Sequence, residues 1–170
     1  SYSSILGGAQ SQAEGMWGTV VAGRMNRSTG NYSFIGGGYS NLESGPGSNV
    51  LVGGYDNFAG SSYNFIGGGR NNCIDGVNGN RSYNIIPGGF SNCINIGTYN
   101  NINGGCCNCI GGYSSSIIGG RLNTIQNSIS YGIAGGRENN VYCDYGIALG
   151  GTFNVASGDY SAVVAGSGNI

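Results

Sequence analysis

A Gly-Gly step that recurs every 15 to 16 residues constrains this chain more than any other feature. We take the second glycine of each step as an anchor and allow Ala in the first place. Eleven anchors follow in register, with one longer interval of 20 residues. They are Gly8, Gly23, Gly38, Gly54, Gly69, Gly89, Gly105, Gly120, Gly136, Gly151 and Gly166. So regular a series predicts a stack of similar units rather than one irregular core.

Further columns of residues follow the same period. Asn stands three residues after the anchor in ten of eleven copies, and an apolar residue stands three before it in all eleven. An aromatic residue stands six before the anchor in eight copies. A weaker column five residues after the anchor includes Ser28, Glu43, Ala59 and Ile74. A disordered linker gives no reason for apolar residues at fixed intervals, so the many glycines and few charges do not indicate disorder.

Composition excludes several classes of protein. Only 8% of residues are charged, the net charge is −1, all six basic residues are Arg, and there is no His. Because nucleic-acid binding needs clustered basic residues and a membrane span needs a run of ~18 apolar residues, we expect neither. The chain starts without Met, and both ends fall within the repeat. We therefore expect residues 1–170 to be a single β-solenoid repeat domain and part of a longer chain.

The repeat length predicts an all-β fold, a parallel β-solenoid of about eleven coils of 15–16 residues with two short strands per coil. Helical repeats need ~33 residues or more. Coils stacked at ~4.8 Å make a rod roughly 50 Å long. We expect the residue three before the anchor to point inward and the aromatic column to stack along an edge. We expect the Asn column to form a hydrogen-bonded ladder at a corner, with Asn in the left-handed conformation.

The segments Tyr32–Gly36 and Tyr160–Gly166, together with Asn154–Asp159, resemble the head repeats of trimeric autotransporter adhesins. Similar Gly- and Asn-rich repeats occur in fibre proteins of phages and large viruses. The resemblance implies a left-handed parallel β-roll, a homotrimer, and a role in surface attachment or as a fibre shaft. The Cys and Tyr content is higher than is usual for the adhesin heads, which favours a viral fibre.

The position just after the anchor carries most of the Arg residues and several aromatic ones. Large side chains at a corner are expected outside, and Tyr and Arg are enriched at interfaces. The candidate stripe consists of Arg24, Tyr39, Tyr55, Arg70, Phe90, Arg121 and Arg137. Three interpretations stay open: binding of a cell-surface glycan or protein receptor, contact between chains of a trimer, or a solvated edge. The long interval, with an insertion near Asp75–Arg81, is either a neutral bulge or part of a binding face.

The six cysteines do not predict a metal site. Cys106, Cys107 and Cys109 are close in sequence, but the spacing lacks the paired ligands of zinc sites and His is absent. Cys73, Cys93 and Cys109 follow the Asn of successive copies, so we expect a stacked column of small apolar residues in a reducing compartment. A disulfide between adjacent coils stays geometrically open.

We expect no enzyme and no cofactor. The seven acidic residues form no pair that stands out as the two carboxylates of a glycosidase, and no His is available as a general base. The leading hypothesis is a structural and adhesive fibre module, found on a virion or at a cell surface. The alternatives are a filament subunit that stacks end to end, an ice-binding rod, which the lack of a Thr column disfavours, and a glycan-cleaving spike.

Overall fold

The computed structural model describes residues 2–76, 82–129 and 135–170, and there the chain is all-β. The predicted fold class is confirmed: parallel strands stack as a β-solenoid of about ten turns with two short strands per coil. The strands are Ser4–Ile5 (β1), Gln12–Ala13 (β2), Thr19–Val20 (β3), Arg27–Ser28 (β4), Phe34–Ile35 (β5), Leu42–Glu43 (β6), Val50–Leu51 (β7), Phe58–Ala59 (β8), Phe65–Ile66 (β9), Cys73–Ile74 (β10), Ile85–Ile86 (β11), Cys93–Ile96 (β12), Asn101–Ile102 (β13), Cys109–Tyr113 (β14), Ser116–Ile117 (β15), Thr124–Ile129 (β16), Asn140–Val141 (β17), Ile147–Ala148 (β18), Val155–Ala156 (β19) and Ala162–Val163 (β20).

Three lines of backbone contact join successive coils. The first strand of each coil pairs with its equivalent one coil on, from β1 to β15 and again between β18 and β20. The second strands pair in the same way from β2 to β19. A third line consists of single-residue parallel bridges from Ala9 to Ser167, at the position just after each anchor. The sequence analysis predicted only a corner at this position. The structure shows instead that the residues of the candidate stripe are joined by a regular ladder of backbone bridges.

The core is two columns of inward side chains. The residue three before the anchor is buried in every described coil except the two outermost, where Ile5 is 48% exposed and Val163 is half-buried. This confirms the predicted inward column; its member Ile133 lies outside the described residues. The residue five after the anchor forms the second column, which holds Ser28 and Glu43 near one end and Ile residues in the middle.

The predicted Asn ladder is confirmed, and Asn41 shows its geometry. Its Nδ2 donates to the carbonyl oxygens of Gly37 (2.9 Å) and Gly54 (3.0 Å), and its Oδ1 accepts the backbone N–H of Asn57 at 3.1 Å. The same contacts recur in successive coils, and most of these side chains are fully buried. One Asn side chain thus satisfies backbone groups of its own coil and of the next, which explains why it recurs in the sequence.

The prediction that Asn itself takes the left-handed conformation is wrong. The residue before the Asn does so, for example Ser40 with φ +55° and Leu122 with φ +57°. Residues of the aromatic column, six before the anchor, also have positive φ, such as Tyr63 with φ +60°. This turn lets the next residue, the Asn, direct its amide into the rod. The strained residue is held by the coil before it: Ser40 N–H donates to Arg24 O at 3.0 Å.

The anchor must be glycine for two reasons, seen at Gly38. Its φ is +89°, and a Cβ there would collide with the carbonyl oxygen of Gly54 in the next coil. All eleven anchors have positive φ. The expected insertion starts after β10 with Asp75 and Gly76, and residues 77–81 lie outside the described part of the chain.

Candidate functional site

The structure places six residues of the candidate stripe, all except Tyr39, on the exposed surface, and Tyr39 is half-buried. Their backbones form one continuous ladder in the order Arg24, Tyr39, Tyr55, Arg70, Phe90, Cys106, Arg121, Arg137. The stripe is therefore a straight row of side chains along the rod. Cys106 interrupts it between Phe90 and Arg121.

Neighbouring side chains of the stripe stack on one another along the rod. The rings of Tyr39 and Tyr55 lie 5.1 Å apart at an angle of 10°, and the Arg70 guanidinium lies 5.0 Å from the Tyr55 ring centre. Its other side faces Phe90, at 5.9 Å. Both faces of the Tyr55 ring are therefore covered, so a sugar ring cannot stack there. The stripe presents ring edges, hydroxyl groups and guanidinium N–H groups.

The Arg70 guanidinium lies between the rings of Tyr55 and Phe90. Cation–π contacts on both sides hold the guanidinium plane, and its N–H edge stays free for a planar acceptor such as a carboxylate or sulfate. Arg137 is less available, because its Nε donates to Glu138 Oε1 at 2.9 Å. Arg121 has no ion pair within the described residues. The stripe can therefore bind anionic groups through Arg70 and Arg121.

The second candidate surface is the outside of the first-strand sheet, which the sequence analysis missed. Phe34, Val50, Phe65 and Ile85 are the outward residues of β5, β7, β9 and β11, four successive coils. They are half-exposed to solvent, at 40% for Ile85. We call the outward positions four and two residues before each anchor the apolar face.

No charged residue occurs at any described position of the apolar face. The positions are Ser4, Leu6, Thr19, Val21, Phe34, Gly36, Val50, Val52, Phe65, Gly67, Ile85, Pro87, Asn101, Asn103, Ser116, Ile118, Ile147, Leu149, Ala162 and Val164. Charged residues occur instead along the stripe and around the second strands, as with Arg27 and Glu14, whose side chains pair at 3.2 Å. An uncharged strip that carries large apolar side chains in most of its described coils, with Asn101 and Asn103 as the exception, is typical of a surface that packs against protein.

Two more features escaped the sequence analysis. A second Asn ladder runs through Asn49, Asn64, Asn84 and Asn100, five residues before the anchor, where for example Asn64 N–H donates to Asn49 Oδ1 at 2.9 Å. The same column in the sequence carries Ser or Asn in many copies, which was the available signal. The other is the set of hydrogen bonds that neighbouring residues donate to the carboxylate of the buried Glu43.

Glu43 lies inside the rod with three donors around its carboxylate. Ser28 Oγ (3.2 Å) and Gly30 N–H (2.9 Å) donate to Oε2, and Asn49 Nδ2 donates to Oε1 at 2.8 Å. Burial raises the pKa of Glu43 above the ordinary value, although these hydrogen bonds oppose the shift. Because the carboxyl is enclosed, it cannot reach a substrate, and its role is structural.

The predicted aromatic edge stack is present in parts of the rod. Tyr63, Tyr83 and Tyr99 stack in sequence at 5.1 Å and 5.3 Å, and Tyr145 stacks on Tyr160 at 4.9 Å. The cysteine column is also in register, with Cys73 paired to Cys93 and Cys93 to Cys109. Within the part of the chain that the structure describes, no three His, Cys, Asp or Glu side chains converge on a metal position.

The fold and surfaces define the class: a Gly- and Asn-rich parallel β-solenoid with one charged aromatic stripe and one uncharged face. The sequence matches no protein-family model, and no curated protein matches it. In the described ranges, no helix has the length and apolarity needed to cross a membrane.

Proposed function

We propose that the chain is a structural and adhesive module, a homotrimeric β-solenoid of a viral or phage fibre or of a surface adhesin that mediates attachment. The observation that carries the proposal is the apolar face. Its described positions carry no charged residue, whereas the stripe and the surroundings of the second strands do. A coil this thin buries little apolar area alone, and repeat rods gain stability from neighbours.

The apolar face is long and narrow, so a second and third chain would contact it along the rod. About ten coils at ~4.8 Å make it roughly 50 Å long, and three residues of strand make it about 10 Å wide. Three such faces meeting on one axis bury about 1,500 Å² over the whole trimer, which is roughly 500 Å² for each pair of chains and below the ~1,200–2,000 Å² of a stable two-chain interface, so the assembly depends on all three contacts forming together.

In this arrangement the stripe is left for a receptor. The stacked rings present edges, so recognition is polar, through the guanidinium groups of Arg70 and Arg121 and the hydroxyls of Tyr39 and Tyr55. The proposed ligand is a cell-surface glycan that carries carboxylate or sulfate groups, since Arg binds such planar or multidentate acceptors well.

Binding to an array of sialylated, sulfated and neutral glycans tests the attachment role. We expect retention on the acidic glycans and a loss of about tenfold or more in affinity for Arg70→Ala, as for removal of a charge-assisted hydrogen bond. Arg27→Ala is the matched control, because it removes the same charge from another surface, and we expect it to bind normally. Equal losses for both variants, or binding to neutral glycans only, would contradict the proposal.

Electron microscopy of the same samples distinguishes the fibre module from an end-to-end filament. Discrete rods are expected for the module. Long unbranched filaments would instead support the alternative in which copies stack through their terminal coils.

A further inference from the structure

Three cysteines lie side by side on the outer surface of the second-strand sheet. Cys73, Cys93 and Cys109 occupy equivalent positions of β10, β12 and β14, and each pairs in register with the next. All three are free thiols and half-buried, while the residue after each of them points into the core. We call this row the thiol ladder.

The spacing of the thiol ladder fits one kind of covalent bond. Neighbouring parallel strands lie ~4.8 Å apart, and disulfides join Cα atoms about 4.4–6.8 Å apart. The Cβ atoms of neighbouring strands must approach by roughly 0.3–1 Å to reach the ~3.8–4.5 Å of a disulfide, which calls for a small local shift of β12 against β14. Cys73 and Cys109 are two coils apart, roughly 9.6 Å, so they lie beyond that range. Cys93 is therefore the required partner of either outer cysteine.

The surroundings prepare Cys109 as the nucleophile. Asn95 bridges the two thiols: its Oδ1 accepts from Cys93 Sγ at 2.6 Å, and its Nδ2 donates to Cys109 Sγ at 3.4 Å. The hydrogen bond with Cys93 lowers the pKa of Cys109 to about 7, and burial opposes the shift. A thiolate, not a thiol, attacks a disulfide.

The other members of the row differ from Cys109. Hydrogen bonds with the two outer thiols, together with burial, raise the pKa of Cys93, so it keeps its proton. The hydrogen bond with Cys93 also lowers the pKa of Cys73, but burial and then the Asp75 carboxylate oppose this shift. The Asp75 carboxylate acts on Cys73 and not on Cys109, so Cys109 is the favoured thiolate. The flanking residues of the sheet, Phe58 and Thr124, carry no charge.

We propose that the thiol ladder is a thiol–disulfide exchange site for small disulfides such as oxidised glutathione. The Cys109 thiolate attacks one sulfur of the small disulfide, the S–S bond breaks, and a glutathione thiolate leaves. Once Cys109 carries the mixed disulfide, its hydrogen bond with Cys93 is lost, and Cys93 gives its proton to the leaving thiolate and attacks Cys109 Sγ, which releases the second glutathione. Two protein thiols are oxidised to one disulfide, and one small disulfide is reduced to two thiols.

The product is a covalent link between two neighbouring coils in the middle of the rod. Cys73 remains a thiol and can attack Cys93 in turn, which moves the link from β12–β14 to β10–β12 and frees Cys109. The ladder therefore holds one disulfide and one thiol at a time, and the site does not depend on the proposed attachment role.

Peptide mapping after treatment with oxidised glutathione and trapping of free thiols tests the proposal. The parent protein carries Cys106→Ser and Cys107→Ser, because the Sγ atoms of this neighbouring pair lie 2.9 Å apart and compete for oxidant. We expect one disulfide from Cys93 to Cys109 or Cys73, with the remaining thiol trapped. Cys143→Ser is the control; Cys143 is 4% exposed, and we expect the same products without it.

The Cys93→Ser variant distinguishes disulfide formation through the thiol ladder from non-specific oxidation of the cysteines. We expect it to form no disulfide within the ladder and to keep glutathione attached to Cys109, because the outer cysteines are too far apart. If the serine variant folds poorly, Cys93→Ala tests for the Cys73–Cys109 disulfide alone, with slower attachment of glutathione because the hydrogen bond to Cys109 is gone, and a circular dichroism spectrum like that of the parent establishes folding. A Cys73–Cys109 disulfide in either variant, or no reaction of the parent protein with oxidised glutathione, would overturn the proposal.

Discussion

The second inner column divides the rod into two regions built on one backbone. In one region the column holds Ser28, Glu43 and Ala59, and in the other it holds Ile74, Ile94 and further Ile residues. The strands pair in register across the change, with Ile74 beside Ala59. The coil geometry therefore does not depend on an apolar second column. What both regions share is the anchor glycine and the Asn ladder.

The polar region replaces hydrophobic contacts with hydrogen bonds. Glu43 binds Ser28, Gly30 and Asn49, and Asn49 continues the second Asn ladder to Asn64. In the Ile region each coil adds two buried aliphatic side chains, such as Ile86 and Ile94. We infer that the shared corner specifies the coil, and that the Ile region contributes most of the hydrophobic stability.

The largest expected effect is the same in both regions. Gly38→Ala and Gly89→Ala each place a Cβ against a backbone oxygen of the next coil at positive φ, so we expect each to lose more than about 3 kcal/mol of unfolding free energy. The controls are one residue earlier: Gly37→Ala and Gly88→Ala meet open space or ordinary contacts, and we expect about 0.5 kcal/mol or less. Thermal and urea unfolding followed by circular dichroism measures both pairs, and tolerance of either anchor variant would mean that the corner is not the shared frame.

A core substitution separates the regions. Ile94→Ala removes a fully buried side chain, so we expect a loss of about 2–5 kcal/mol. Ser28→Ala removes one hydrogen bond to Glu43, which keeps the Gly30 N–H at the same oxygen, and we expect about 1 kcal/mol. Urea unfolding of the two variants gives the comparison. Equal losses would show that the regions do not differ in how they are stabilised.

The smallest effect is a pH dependence confined to the polar region. Because the pKa of Glu43 is raised above 4.5 in the folded state, the folded chain holds this proton more tightly than the unfolded chain. Its contribution to stability is complete below pH 4.5 and is lost as the pH rises through the folded value. We expect Glu43→Gln to remove this slope from unfolding curves measured at several pH values. Glu14→Gln, at the surface beside Arg27, is the control and keeps it; a slope that persists in Glu43→Gln would assign it to other groups.

The sequence analysis predicted the columns whose residue is nearly constant and missed those whose residue varies. Column positions were enough to identify Ile35 as inward and Asn41 as a ladder residue, because the same backbone contact selects the same residue in each coil. They do not reveal φ, so the left-handed turn was assigned to Asn41 instead of Ser40. The apolar face was missed because outward positions such as Phe34 and Val50 vary in identity and share only the lack of charge.

The stripe shows that aligning the repeats in columns does not predict how neighbouring side chains stack. Its position on the surface was predicted correctly, but the stacking of Tyr55 and Phe90 on either side of Arg70 depends on the ~4.8 Å repeat and side-chain orientation. That detail changes the expected recognition from ring faces to polar edges. The use of the stripe in binding stays a prediction.

Sedimentation equilibrium of the purified chain tests the central claim, that rods associate through the apolar face. We expect a mass three times the 17.2 kDa of one chain, and a 17.2 kDa monomer for Phe65→Asp, which places a charge in that face. Phe153→Asp makes the same change beside Arg137 on the stripe side, and we expect it to remain a trimer. A stable monomer for the unmodified chain, or dissociation by Phe153→Asp but not by Phe65→Asp, would contradict the account.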